Sequence, residues 1–473
     1  MTKPLDRRAF LSTSATLASG AALDVYARCP SAPLVVCNVT ELYSVRVAQV
    51  VAVKNAEDVR QALKTWKGRV SIGGGRYSMG GQTAVAGGWQ LDMRSMNQLL
   101  QLDPVRKTVR VQAGMRWRDL QALIDPYGLA VQTMQSYANF TVGGSVSVNC
   151  HGRYVGHGPI ASSIRALQMV MPHGEVVELS PTRETELFYA AIGGYGGLGV
   201  ITEVELQLDD NFPIERHTTQ VALADYPAWF AQTIAADPTA LLHNADLIAP
   251  RFDAPFCTTW RRSSKPLTVA RRLRSTGKNY LANKALIWAM TELPGGTGLR
   301  RAIVQPLLER QTAVVWRNYE ASLDVAELEP ATRAFSSYVL QEYFIPVRYF
   351  VAFAKAMATL LQHSLHGTLN VSIRHSPADD HTLMAWAREE CFSFVLYYKQ
   401  GLTPQATEAV GQWTRALIDL ALACEGSYYL PYQLHAEPSQ FFAAYPRATH
   451  LRTLRAQVGA TRLSNALWDK YGV

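Results

Sequence analysis

The chain has 473 residues, 48% of them hydrophobic and 18% charged, which excludes a disordered chain or a coiled coil and suits two large domains or about three ordinary ones. The net charge is +8, yet ten basic residues and one acid fall between Arg261 and Arg301, so the remainder is close to neutral and a global nucleic-acid-binding surface is excluded. The six cysteines (29, 37, 150, 257, 391 and 424) show no CxxC and no paired spacing, so neither a zinc site nor a disulfide framework is expected.

Arg7 and Arg8 precede a weakly apolar stretch of small residues, Ser12 to Leu23, too short and too diluted to span a bilayer. Residues 1–27 resemble a twin-arginine signal that exports folded protein to the periplasm; the alternative is a cytoplasmic protein with a basic N-terminal helix. Val45 to Val53 reads as a strand, and Asn55 caps a helix from Ala56 to Trp66. A short buried strand, Arg69 to Ile72, runs into the Gly-rich segment Gly73–Gln82. Strands at Trp89–Met93 and Thr108–Gln112, a helix at Trp117–Ile124 and a second Gly-rich turn at Thr141–Ser145 follow, the turn leading to Asn149-Cys150-His151-Gly152. Arg165–Pro172 and Glu175–Leu179 form a hairpin, Glu184–Ile192 a helix, and Val200–Leu208 a strand. Beyond about 213 the segments lengthen: Tyr338–Pro346, Thr368–Arg374 and Phe392–Tyr398 read as strands of one sheet, and Thr407–Ala423 as a helix.

Gly194-Tyr195-Gly196-Gly197-Leu198-Gly199 fits G-x-G-x-x-G, but a helix precedes it and a strand follows, the reverse of a Rossmann turn, so a Rossmann NAD site is rejected. The loop Gly73–Gln82 follows a strand instead, and its glycines let backbone N–H groups converge on an anion. Three Gly-rich approaches suit a dinucleotide, whereas one alone reads equally well as a wide solvent loop.

In order and spacing, Gly73–Gln82, Thr141–Gly152 and Gly194–Glu203 resemble the FAD-binding domain of the vanillyl-alcohol oxidase / p-cresol methylhydroxylase (PCMH-type) flavoproteins over residues of about 45 to 210. Glu342–Pro346, Asn370–His375 and the tail Tyr429–Tyr432 through Tyr445–Arg447 resemble the branch of alditol and aldonolactone oxidases and decaprenylphosphoryl-ribose oxidase. The resemblance implies an α+β fold: a two-lobed PCMH-type FAD-binding domain (28–212), a mixed-sheet substrate or cap domain (213–425) carrying the basic insertion 261–301, and a tail (426–473) returning to the flavin. It implies that Gly73, Gly74, Gly75, Arg76, Tyr77 and Ser78, with Gln82 in the same loop, hold the pyrophosphate. Thr141, Gly143, Gly144 and Ser145 would meet the flavin and ribityl side, Gly152 would lie near the ring, and Ile201 would face the adenine. Tyr77 stands where many relatives carry a histidine joined to the flavin, and Asn139 and Phe140 stand where bicovalent members carry a cysteine. A non-covalent FAD is therefore expected.

Oxidation of an alcohol needs a C–H bond held over the flavin and a group to take the hydroxyl proton. Arg374 is a candidate for steadying an alkoxide or anchoring a phosphate, Glu342 matches a site-facing position of sugar oxidases, Tyr432 stands where decaprenylphosphoryl-ribose oxidase has a lysine, and His435 is a candidate base. Each has a structural alternative: an ordinary ion pair, a solvated strand residue, a packed ring or a satisfied histidine. Cys150 reads as a packing residue. The basic insertion, with Leu286–Met290 beside it, suits either a peripheral membrane contact or a solvated helical hairpin. The expected function is FAD-dependent oxidation of an alcohol or sugar-like hydroxyl, with oxygen or a carrier as electron acceptor. The rivals are a dehydrogenase of an amphiphilic or lipid-linked substrate with a non-oxygen acceptor, and a flavin-free binding protein on the same fold.

Overall fold

The computed structural model describes residues 34–249, 251–275, 277, 280, 312–327, 329, 333, 335–364 and 368–472. The signal segment 1–27, Lys278 and the apolar stretch Leu286–Met290 lie outside them.

The first lobe opens with β1 (Val35–Cys37) and β2 (Ser44–Arg46), paired antiparallel. A parallel sheet follows, with β3 (Gln49–Ala52) and β4 (Val70–Gly73) flanking β5 (Trp89–Asp92). The β3–β4 crossover is helix α1 (Ala56–Thr65), started by the Asn55 side chain accepting from the Asp58 N–H at 2.9 Å, with Glu57 and Asp58 in its first turn. The single strand expected over Val45–Val53 is instead β2 and β3: between them, Val47 and Ala48 turn their N–H groups to the carbonyls of Leu34 and Gly88.

The second sheet is antiparallel and holds β6 (Leu99–Asp103), β7 (Thr108–Gln112), β9 (Ile164–Val170), β10 (Val176–Leu179) and β11 (Val200–Asp210), in the order β10-β9-β11-β7-β6, with β8 (Leu129–Val131) also on β11. The helix α2 (Trp117–Ile124) has the predicted bounds, and α4 (Thr185–Ala191) begins one residue late because Glu184 is left-handed, φ +52°. The turn expected at Thr141–Ser145 is the start of a short helix, α3 (Val142–Ser147). Two adjacent glycines hide it by propensity. Packing demands it: a Cβ on Gly143 would stand 2.6 Å from Ala113 Cβ.

The last strand of this sheet ends at Asp210, and the first strand of an eight-stranded sheet begins at Pro213. The order is β15-β12-β14-β13-β17-β18-β16-β19, built from β12 (Pro213–Gln220), β13 (Ala240–Ile248), β14 (Phe256–Arg262), β15 (Val314–Trp316), β16 (Ser336–Pro346), β17 (Thr368–Ser376), β18 (Cys391–Gly401) and β19 (Ser427–Tyr428). The sheet expected as mixed pairs antiparallel along this whole path. Strand alternation divides its labour. Tyr343, Ile345, Phe392 and Phe394 are buried toward α5 (Phe350–Ser364) and α6 (Pro404–Ala423), where Phe350 and Phe353 stack against Phe394. Glu342, Phe344 and Ser393 face the first lobe.

The tail is integral to the first lobe: Leu463 and Ala460 join Val59, Leu63, Val70 and Leu91 in one core, and the Ser464 N–H donates to the Val70 carbonyl at 2.8 Å. In the basic insertion, Arg261, Lys265, Arg272 and Arg274 pair with Asp237, Glu215, Asp125 and Glu320, and Arg271 donates to Ser275. The cysteine spacing gives no disulfide framework, and Cys150, Cys257, Cys391 and Cys424 are free; Cys37 is nevertheless disulfide-bonded, since spacing alone carries no signal for a single bridge.

Candidate active site

The Gly-rich loops, β16, β17 and the tail line one cavity. One wall is the loop after β4. Gly74 has no room for a side chain, since a Cβ would lie 2.3 Å from Thr141 Oγ1, and at Gly75 it would meet the Tyr77 ring at 2.9 Å. Arg76 is held in the left-handed region, φ +61°, and its guanidinium donates to Gln90 Oε1 at 2.7 Å and lies 3.3 Å from Asp92. The N–H groups of Arg76, Tyr77 and Ser78 donate to no acceptor among the described residues, and Arg76 Nε is buried without a partner. That is a cradle of free donors shaped for an anion.

Gln82 locks the loop to the tail. Its Nε2 donates to the carbonyls of Leu430 at 2.7 Å and Tyr432 at 2.8 Å, while its Oε1 accepts from the Gly80 N–H at 2.8 Å. Thr141, Gly143, Gly144 and Ile201 also line the cavity, as do Glu342, Arg374 and Tyr432.

Four expected site residues lie off the wall and are corrected. Gly73 ends β4, where a Cβ would meet Gln90 Nε2 at 2.6 Å, so it serves strand packing. Ser145 is turned inward, its Oγ bonded to Gln135 and to Trp117 Nε1. Gly152 is pressed on the Met134 carbonyl, 2.2 Å from where its Cβ would be. His435 is half-buried beside Gly411, where desolvation and the nearby Lys470 and Arg415 bring its pKa down to about 4. Cys150 is buried and its thiol is pushed up by desolvation, which makes it inert.

The residue missed is His151. It follows α3 in the segment Asn149–Gly152, and a lone histidine there gives no sign of a carboxylate brought to it by a distant strand. Its Nε2 lies 2.7 Å from Glu342 Oε1, both side chains almost fully buried, and its ring is packed among Phe344, Trp386 and Tyr429. Tyr432 donates its hydroxyl to Glu342 Oε2 at 3.2 Å. Burial pushes the Glu342 carboxyl up, but His151 and then Arg374 outweigh it and hold the group below its ordinary value. Tyr432 is raised by burial and by the Glu342 charge, so it remains a donor. Nε2 is thus turned to the Glu342 carboxylate, and the described residues offer Nδ1 no hydrogen-bond partner. The arrangement can present Nδ1 to a ligand as a base.

A cavity walled by free loop N–H groups and by a carboxylate–histidine pair has the features of a site for a phosphate-bearing ligand. Residues 47–180 match the family model of the FAD binding domain. That segment is therefore an FAD-binding domain. The chain is similar to L-gulonolactone oxidase of Bos taurus (32% identity over 35% of this chain and 38% of the relative) and to the mitochondrial L-galactono-1,4-lactone dehydrogenase of Brassica oleracea (36% over 27% and 21%). It is also similar to an alditol oxidase of Streptomyces (34% over 24% and 28%). The matched part thus spans between 21% and 38% of the length of these relatives.

Proposed function

We propose that the protein is an FAD-dependent oxidoreductase that oxidises a CH–OH group of an alcohol or sugar-like substrate, an electron acceptor, oxygen or a carrier, completing the cycle. The observation that carries this reading is the His151–Glu342 pair in the wall of the cavity that the FAD-binding loops form. When bound, the flavin supplies an acceptor for hydride at N5. Gly74, Gly75 and the N–H groups of Arg76 to Ser78 hold its phosphates, with Gly143 and Gly144 on the flavin side. His151 Nδ1 takes the substrate hydroxyl proton, and Glu342 keeps the ring oriented and stabilises the imidazolium that forms. Tyr432 steadies Glu342, and Arg374 offers the substrate a cation on the same wall. Aromatic packing around His151 excludes water from the base.

The FAD is held without a covalent bond. Tyr77 packs on Phe140 with ring centroids 4.6 Å apart, and burial, with Glu329 and Asp324 nearby, raises its hydroxyl above the ordinary value and disfavours the phenolate. Asn139 is engaged by Asp324 at 3.1 Å. Export to the periplasm through the Arg7-Arg8 signal belongs to the same reading, and the Cys37 disulfide suits an oxidising compartment.

The test is anaerobic mixing of the FAD-loaded protein with sugar alcohols, aldonolactones and sugar acids, followed by the flavin absorbance. Bleaching that slows when the carbinol hydrogen is replaced by deuterium is expected. Flavin that dithionite bleaches but no member of the panel does would defeat the reading.

A further inference from the structure

Along β17 the residues alternate: Val371 and Ile373 are fully buried on the helix side, and Asn370, Ser372 and Arg374 are half-buried on the side facing the flavin lobe. The register sets Ser372 beside Asp246 on β13 and Arg374 beside Ser393 on β18. On this face the other charges have partners. Asp246 accepts from Asn370 at 3.1 Å and from Asn244 at 3.3 Å, and Arg153 pairs with Glu320 at 3.0 Å.

Arg374 differs. It makes no hydrogen bond and no ion pair within 4.0 Å among the described residues, and its Nε is buried without an acceptor. It lines the cavity beside Glu342, whose carboxyl it helps hold below its ordinary value without reaching it within 4.0 Å. A half-buried guanidinium with no acceptor is costly unless a ligand supplies one, and its fork matches a carboxylate or a phosphate.

Resting on the proposed function, we propose that the substrate is a polyhydroxylated acid whose one anionic group, carboxylate or phosphate, sits on Arg374, rather than a neutral lactone or polyol.

The experiment titrates FAD-loaded protein with gluconate, glucitol 6-phosphate and neutral glucitol, reading the perturbation of the flavin spectrum. The wild type is expected to bind one of the two anions about tenfold or more tighter than glucitol, the better anion identifying the group. Arg374→Met should erase that preference at unchanged FAD content, and Arg374→Lys should restore part of it. Glucitol binding as tightly as both anions would overturn the proposal, and so would an Arg374→Met variant that keeps the preference, which would assign the cation to the flavin itself. Protein that takes up no FAD would remove the underlying function and this proposal together, whereas a loaded enzyme that prefers glucitol removes this proposal alone.

Discussion

His151 Nε2 lies 2.7 Å from Glu342 Oε1, so a loop of the flavin lobe and the central stretch of β16 meet at one buried histidine–carboxylate contact. Neither residue has a base's geometry alone: Glu342 orients the ring, and the ring presents Nδ1. His151→Asn should lower the rate of flavin reduction by about 10²- to 10⁴-fold, the usual worth of a positioned base, with FAD content unchanged. Glu342→Gln should fall between the two and shift the pH–rate profile, because Nε2 no longer faces a carboxylate. Equal reduction rates in all three proteins, measured by stopped flow, would remove the pair from catalysis.

Gln82 is the clamp between loop and tail. Gln82→Leu leaves the Leu430 and Tyr432 carbonyls and the Gly80 N–H unpaired, each at a cost of about 1–3 kcal/mol. The melting temperature should drop, and the FAD dissociation constant should rise by at least about tenfold. A variant that melts and binds FAD like the parent would show that the tail does not close the cavity.

Tyr77 decides the attachment. Acid precipitation should leave the yellow colour in the supernatant, and Tyr77→Phe should bind FAD as the parent does. A yellow pellet carrying a flavin-modified peptide with Tyr77 would contradict this.

Much of this site was legible in the sequence, and what was not has a physical cause. Glycine spacing marked Gly74, Gly75, Gly143 and Gly144 because a dinucleotide needs backbone approach, and a missing Cβ is visible in a string of letters. The runs Tyr338–Pro346, Thr368–Arg374 and Phe392–Tyr398 marked the cap sheet. Resemblance to sugar oxidases singled out Glu342, and residue type Arg374. His151 was missed because its meaning comes from Glu342, a long-range partner that only tertiary packing supplies. His435 was chosen by residue type, yet the tail carries its ring past the cavity. Gly73, Ser145 and Gly152 share motif positions with the wall but spend their space on Gln90, Gln135 and the Met134 carbonyl. The short strands β6, β8 and β12–β15 and the helix α5 went unread, since their pairing is decided by neighbours far along the chain.

His435 supplies a pH test. Its folded pKa is about 4 against an ordinary 6.5, so between these values the unfolded chain holds the extra proton. The stability it contributes is complete above pH 6.5 and is lost as the pH falls toward 4. His435→Gln should flatten the fall of melting temperature across that window and leave turnover at neutral pH unchanged. A large loss of turnover would return His435 to the reaction.

Replacing Arg7 and Arg8 by lysines should retain the protein in the cytoplasm, measured by cell fractionation. Undiminished periplasmic recovery would contradict export through this pair.

The central claim is that the cavity between the Gly-rich loops and the cap sheet holds FAD. The most direct measurement is the visible spectrum and extractable flavin of the purified protein, compared with Gly74→Ala, in which the new Cβ would lie 2.3 Å from Thr141 Oγ1 in the cavity wall. The account predicts a yellow parent with one FAD per chain and a folded variant that has lost most of it. A colourless, fully folded parent that takes up no added FAD would contradict it.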